Sequence, residues 1–550
     1  MARPQLPASL PTLTPSLLDR AIEKISPAWA LRRHQARSAM ALSGGYVSAG
    51  YSERMAYWQP GVRDADGDIM RDLRELRARS RDLVRNSPIA SGAIETQVTH
   101  VIGSGLTLQS RVDAAALGLS EDQANEWQAV TERRFRLWAN STLSDAADEL
   151  NFFEQQDLAL RTRLESGDAF VLLASMQREG WPFTLALQII EADRICNPNL
   201  AADTATISGG IERDASGAAV AAHICSRHPG GLLGIAGATW TRVPFRGKSG
   251  RRNLLHLKRK LRPGQSRGIP ELAPIIGTLK QMSRYSDAEI DAAVNSAAQA
   301  VFVKMDPDSF TELFDDDAQG ALIDSAKRWD GTLRSGTAVN LLPGESIEAP
   351  ALGRPNPNFD PFMSAFMRFV GIGLNIPHEV LAKSFQASYS AARAALLDAW
   401  RTFRVRRDRE ASKFCQPVYE EWLADEVAAG RIAAPGFFSD AETRAAWCGS
   451  TWSGDGPGAI DPLKEAKAAR ERMDLGITTL AEEVVTFDGG DWEQKHRQRV
   501  REKEERVEGG LEPPITAPPV LPGKAVPPLP LDETDEEEGD DMPPSPPGRR

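Results

Sequence analysis

The chain is 550 residues long, 41% apolar and 26% charged, which is too long for one core and ordinary enough for most of it to fold as two to four domains. Its net charge of −11 is uneven: nine acids against three bases fall from Leu511 onward, so about −6 sits in the last forty residues and about −5 on the rest. A nearly balanced body does not suggest a protein that grips nucleic acid tightly, because that grip needs clustered Lys and Arg to release counterions.

The four cysteines (Cys196, Cys225, Cys415, Cys448) are scattered without a Cys-x-x-Cys pair, which fits a reducing cytosol. No apolar stretch approaches the roughly 20 residues that a membrane span needs. Pro4, Pro7, Pro11, Pro15 and Pro27 interrupt the first thirty residues, so no signal peptide is read there. The expectation is a soluble, intracellular chain.

Residues 1 to about 65 are rich in Pro, Ala and Gly with isolated aromatics such as Trp29, Tyr46 and Trp58, and read as an arm laid over something else. The pattern then predicts a helix near 68–86 that Pro88 ends, and a second over 88–102 that stops at Gly103 and Gly105. Ser120 with Gln123 forms a capping box for a helix carrying Trp127, Thr131, Phe135 and Trp138 along one side. Asn151 with Glu154 does the same for a helix ending at Gly167. The period then changes, and FVLLAS (170–175), LALQII (185–190) and AAVAAHI (218–224) read as strands.

Helical patterning returns near 271–300. A β-like block follows, VFVKM (301–305) and AVNLL (338–342), around a helical insert. Long helices are expected from 359 to about 374 and from Ser388 to about Ala429, with Pro377 interrupting between them, and a charge-dense helical region spans about 461–507. The tail from 511 holds twelve prolines and the run DETDEEEGDD (532–541). It cannot bury enough apolar surface to offset its ordering entropy, so it is expected to be disordered, a solvated tail in which Pro-Pro-Leu-Pro (527–530) could serve as a polyproline II ligand.

No catalytic constellation stands out. Gly247-Lys248-Ser249 has the ending of a phosphate-binding loop, but the position that needs the leading glycine is Arg242, so a basic surface turn is expected. His223, Cys225 and His228 are the metal-like cluster; with no convincing fourth ligand, no metal and no cofactor is expected. Glu420 and Glu421 read as solvated carboxylates on a charged helix. The strongest charge feature is 227–267, with eleven Lys or Arg and no acid, including Arg246, Lys248, Arg251, Arg252, Lys258, Arg259 and Lys260. It lacks interleaved aromatics and reads as a solvated or subunit-contacting face before a DNA contact. Arg401, Arg404, Arg406, Arg407 and Arg409 lie beside Asp398, Asp408 and Glu410, which favours intrahelical or intersubunit ion pairs.

Seven ordered segments resemble one known family. They are RDLVRNSPIASGAIETQVTHVIGSGLTLQ (81–109), ESGDAFVLL (165–173), LQIIEADRICNP (187–198), GIERDASGAAVAAHI (210–224) and RGIPELAPIIGTLKQMSRYSDAEIDAA (267–293). PNFDPFMSAFMRFVGIGLNIPHEVLAKSFQASYSAARAALLDAW (357–400) and DPLKEAKAARERMDLGITTLAEEV (461–484) complete the set. Together they resemble the lambda-type phage portal proteins over roughly residues 20–505.

The resemblance implies a mostly helical α+β subunit of a dodecameric ring, with wing, stem, clip and crown regions. Residues 1–20 would be an N-terminal arm, 20–269 and 392–450 the wing, 270–300 and 351–376 the stem helices, 301–350 the clip, 377–391 the tunnel loop and 451–510 the crown. Lys383, Ser384, Phe385 and Gln386 would then sit at the constriction around DNA, and Lys280, Arg284, Asp287 and Asp291 would line the stem channel. The implied partners are further copies of the chain, the terminase large subunit, head-completion and connector proteins, major capsid and scaffold proteins, and double-stranded DNA, with no membrane. The implied place is the portal vertex of a virion, and host cytoplasm during assembly. The acidic, proline-rich tail (511–550) has no matched counterpart and receives no family role. A packaging-associated enzyme, or a DNA-binding scaffold acting outside a ring through 242–267, are the alternatives.

Overall fold

The computed structural model describes residues 61–297, 315–327, 356–384, 389–457 and 461–511, the strands at 301–303 and 338–340, and Ser26, Pro27 and Trp29. The expected disorder of the tail and most of 301–350 lie outside these residues. Among the described residues the chain is a mixed, mainly helical α+β protein.

Its first half is built by local capping. A short turn of helix, Ala65–Ile69, precedes α1 (Leu73–Asn86), so the single helix expected over 68–86 is broken at 70–72. Asp66 explains the break: its carboxylate accepts from the Ser266 backbone and hydroxyl, which draws the short turn onto a distant segment. Ser87 is extended, as the residue before a proline must be, and caps α2 (Pro88–Val101). Both predicted capping boxes are present, on α3 (Glu121–Ala139) and α4 (Phe152–Ser166).

The apolar side of α3 enters the main core. Thr131, Phe135 and Trp138 are buried, while Trp127 is half-buried with its indole donating to the Ala433 carbonyl at 2.8 Å. Phe135 makes edge-to-face contacts with Phe152, Tyr419 and Trp422, the geometry that ring quadrupoles favour.

Two antiparallel sheets follow. One has the order β3-β2-β8, from β2 (Asp168–Ser175), β3 (Leu185–Ile190) and β8 (Leu254–Lys258). The other runs β4-β5-β6-β7, from β4 (Ile207–Ser208), β5 (Ile211–Arg213), β6 (Ala219–Cys225) and β7 (Trp240–Pro244). Phe170, Ile190, Ile195, Ile211, Ala222, Ile224 and Leu254 form the small core they share.

α5 (Ile276–Ala297) and α6 (Phe359–Leu374) are the two helices expected near 271–300 and 359–374. Between them, β9 (Val301–Val303) and β10 (Ala338–Asn340) pair in parallel, with the helix Asp316–Lys327 in the connection. α7 (Tyr389–Glu410) passes through a π-turn, Ala411–Cys415, into α8 (Gln416–Ala428). The result is the long helix the sequence predicted, about 60 Å from end to end.

β11 (Ser450–Ser453) returns to pair with β1 (Thr107–Ser110), tying the two halves of the chain together. Three helices close the described chain: α9 (Pro462–Asp474), α10 (Leu480–Asp488) and α11 (Trp492–Glu508). The single helical region expected there breaks at Gly476 and Gly489, both with positive φ.

Candidate functional site

α5 and α6 pack side by side through aromatic rings. Tyr285 stacks on Phe359 at 5.9 Å and leans on Phe362 at 4.5 Å, and Phe362 continues to Phe366. Gly373 sets how closely α6 approaches the turn that leads into α5, since a Cβ there would meet Ile275 Cγ2 at 2.4 Å. Leu279 and Met282 of α5 are buried, whereas Lys280, Arg284, Asp287 and Asp291 are all exposed. Their spacing of four, three and four residues places them on one stripe of the helix. Read from the helix start, that stripe is two cations followed by two anions.

Both helices are held at their base by one side chain. Arg406 of α7, 7% exposed, donates to Glu271 at 2.7 Å, to the Leu374 carbonyl at 3.0 Å and to the Gln97 side-chain oxygen of α2. Glu271 lies just before α5 and Leu374 ends α6, so one guanidinium joins the start of one helix, the end of the other and the body. Next to it, Arg163 of α4 pairs with Glu410 at 2.7 Å. Arg407 donates to the carbonyls of Val101 and His100 and lies over the Trp400 ring. The arginines of α7 were expected to form intrahelical or intersubunit pairs. Arg406 and Arg407 instead bind other elements of the same chain, because their helical phase turns them inward, while Arg401, Arg404 and Arg409 are exposed.

Beyond Pro377, the short helix His378–Ala382 ends in a tight turn. Lys383 adopts the left-handed conformation (φ 51°, ψ 35°), its N–H donating to Val380, and Ser384 N–H donates back to the Glu379 carbonyl at 3.0 Å. This is the hydrogen-bond pattern of a helix stop that ordinarily uses glycine. A lysine there costs about 1 kcal/mol of backbone strain and places an exposed ammonium at the turn. Phe385 and Gln386 lie outside the described residues.

The segments ESGD (165–168) and RG (267–268) converge. Gly167 has φ 90°, and a Cβ on Gly268 would stand 1.9 Å from the Gly167 carbonyl oxygen, so two glycines let the backbones cross. The crossing brings Asp168, fully buried, against Arg267 at 2.7 Å and Arg77 at 2.8 Å. Arg267 also donates to the carbonyls of Ala192, Ile195 and Gly209. Burial alone would raise the Asp168 pKa, but Arg267 and Arg77, with His256, hold it well below the usual carboxylate range. Burial pushes His256 down to about 4, despite its 3.1 Å contact with Asp168. This network pins the sheets to α1. Its members were not singled out from the sequence; the adjacent Gly–Asp and Arg–Gly pairs were the available signal.

The basic stretch proves to be divided. Arg246 and Lys248 are exposed in a turn where Arg246 donates to the Gly250 carbonyl, so Gly247-Lys248-Ser249 is the expected surface turn and not a phosphate loop. Arg251 binds Glu421 and Asp425, both at 2.7 Å, and Arg252 N–H donates to Glu421 at 3.0 Å. Glu421 is therefore buried, contrary to the expectation of a solvated carboxylate, because this hairpin covers it.

Lys258 donates to the carbonyls of Gln265 and Ser266, and burial lowers its pKa to about 8. Arg259 lies 3.7 Å from Glu271, and Lys260 is exposed. His223 faces Glu212 and His228 faces Glu191 and Asp193, so His223, Cys225 and His228 do not converge. Glu191 and Asp193 are also paired by Arg81.

Comparison with known proteins adds an independent finding. The family described as phage portal protein, lambda family, matches residues 51–407. Portal protein B of Escherichia phage lambda is 25% identical over 85% of this chain and 91% of its own length. The portal protein of Escherichia phage N15 is 26% identical over the same shares. Among solved structures, a chain from the neck of a native GTA particle computed with C12 symmetry is 13% identical, with TM-score 0.38, covering 76% of this chain and 94% of that chain. One from the neck of an empty GTA particle computed with C6 symmetry is 15% identical, with TM-score 0.40, covering 67% and 93%.

Proposed function

Because this chain belongs to the lambda family of phage portal proteins, we propose that its copies close into a ring, a dodecamer, at one capsid vertex, and that double-stranded DNA is packaged and ejected through the bore. In this reading α5 and α6 are the stem, residues 301–350 the clip, 377–391 the tunnel loop, 20–269 and 392–450 the wing, and 451–510 the crown. The ring docks the terminase large subunit during packaging in the host cytoplasm and head-completion and connector proteins afterwards, beside major capsid and scaffold proteins. The chain contributes shape and charge, and catalyses no reaction.

The observation that carries this reading is the exposed stripe on α5. Repeated around a ring, Lys280 and Arg284 become two positive collars and Asp287 and Asp291 two negative ones. The adjoining Arg284 and Asp287 collars lie about 4.5 Å apart along the helix, inside one Debye length (~8 Å), so the change of sign leaves no deep well in which a phosphate backbone would lodge. Exposed apolar side chains on the same hairpin support it: Phe369 is 62% and Ile372 73% exposed. Such a surface fits burial against a neighbouring copy. A DNA-binding scaffold working through 242–267 is the weaker reading, because Arg251, Lys258 and Arg259 already engage groups of their own chain.

The test is Asp287→Lys with Asp291→Lys, which makes the stripe positive throughout. Rings should still form, and particles should hold less DNA because the duplex is retained in the channel. Normal filling by this variant would remove the stripe from the DNA path.

A further inference from the structure

A cleft of about 970 Å³ opens between α3 and α11, with no residue of α5 or α6 in its lining. Six cations line it: Arg133 and Arg136 from α3, and Lys495, Arg497, Arg499 and Arg501 from α11. Glu132 and Glu502 are its acids, which leaves a clear positive excess. Arg497 reaches Glu493 at 3.7 Å and Arg501 donates to Gln498, both along α11 itself. Arg133 and Arg499 form no ion pair among the described residues. The first half of α11 thus concentrates positive charge with no acid between Gln494 and Arg501.

The strongest negative feature of the chain follows the same helix in sequence. α11 ends at Glu508, the described residues stop at Leu511, and DETDEEEGDD (532–541) carries eight acids and no base. The 21 residues from Leu511 to Asp532 are rich in proline, and at about 3.1 Å per residue their reach is at most about 65 Å. The way back along α11 from Leu511 to Lys495 is only about 24 Å. Reach is therefore ample, and a tethered run meets the cleft at an effective concentration near the millimolar range.

We propose that the acidic run 532–541 docks in the α3–α11 cleft of its own chain. Its carboxylates occupy positions that a phosphate backbone would otherwise take, so the tail screens the cleft from nucleic acid. Charge complementarity and the tether carry this assignment.

The test uses a fluorescein-labelled peptide, DETDEEEGDD, and anisotropy at low salt on three full-length proteins. They are the native chain, a chain with every Asp→Asn and Glu→Gln across 532–541, and that neutralised chain with Arg133→Gln, Arg497→Gln and Arg501→Gln. The peptide should bind the neutralised chain and bind the native chain at least about tenfold more weakly, since the resident run competes from its tether. The third protein should lose binding while its circular dichroism is unchanged. Equal binding to the native and neutralised chains overturns the proposal, as does binding that survives the three Arg→Gln changes or no binding to the neutralised chain. A short DNA duplex that binds native and neutralised chains equally through the same arginines would assign the cleft to nucleic acid instead.

Discussion

Arg406 reaches Glu271 at 2.7 Å across 135 residues of sequence, and in doing so fixes where α5 leaves the body. The pair is largely buried, so the order of removal matters. Taking one partner away strands the other in low dielectric, whereas removing both leaves only a packing problem. Arg406→Met should cost about 3 kcal/mol, and Arg406→Met with Glu271→Met should recover a substantial part of it. Urea denaturation of the four proteins of this cycle measures the coupling. Additive losses would mean that the contact does not act as a unit.

Gly268 gives a backbone prediction. Adding one methyl group as Gly268→Ala sets a Cβ 1.9 Å from a carbonyl oxygen of a crossing backbone, and neither chain can yield without moving Asp168 or Arg267. The variant should lose several kcal/mol and accumulate as insoluble protein. A soluble variant with unchanged melting temperature would show that the crossing is loose.

The acid limb of stability should carry the signature of His256. Its folded pKa, about 4, is below its unfolded value, so the unfolded chain takes up a proton that the folded chain refuses. Stability should therefore fall as pH drops from about 6.5 to 4, by up to about 1.4 kcal/mol per pH unit. The groups facing the imidazole are Asp168, Lys258 and Arg267, with the Phe170 and Phe245 rings stacked near it at 4.1 and 6.4 Å. Asp168, whose pKa is also depressed, adds a further loss only below the usual carboxylate range, as pH falls through its folded value. His256→Gln should flatten the upper part of this limb in a stability–pH profile. An unaltered slope would assign that part to another group.

Lys383 separates backbone from charge. Lys383→Gly removes the left-handed strain and should raise the melting temperature slightly, while Lys383→Glu keeps the strain and reverses the charge. If the ammonium acts on DNA in the tunnel, both variants should assemble and both should package less DNA than the native chain, Lys383→Glu the least. Full packaging by Lys383→Glu would take the turn out of the mechanism.

Much of the fold could be read from the sequence because it is specified locally. The capping boxes at Ser120 and Asn151, the stop at Pro88 and the apolar stripe of Phe135 and Trp138 each depend on residues within a turn or two. What was not legible depends on partners far away in sequence. β8 was hidden in a basic stretch because its pairing partner, β2, is some ninety residues earlier, and a five-residue run with His256 and Lys258 has little β character by itself. Glu421 looked solvated because the hairpin that covers it comes 170 residues before. The stripe on α5 was legible as spacing, and the family resemblance supplied the reason to look at it; its base, Arg406 with Glu271, was not.

Cryo-electron microscopy of the purified full-length chain tests the central claim most directly. The account predicts a symmetric ring with an open central bore, α5 of every copy beside it, and Lys280, Arg284, Asp287 and Asp291 facing the opening. Isolated single chains without a hole, or a ring in which that stripe is buried against a neighbour and another surface lines the bore, would contradict it.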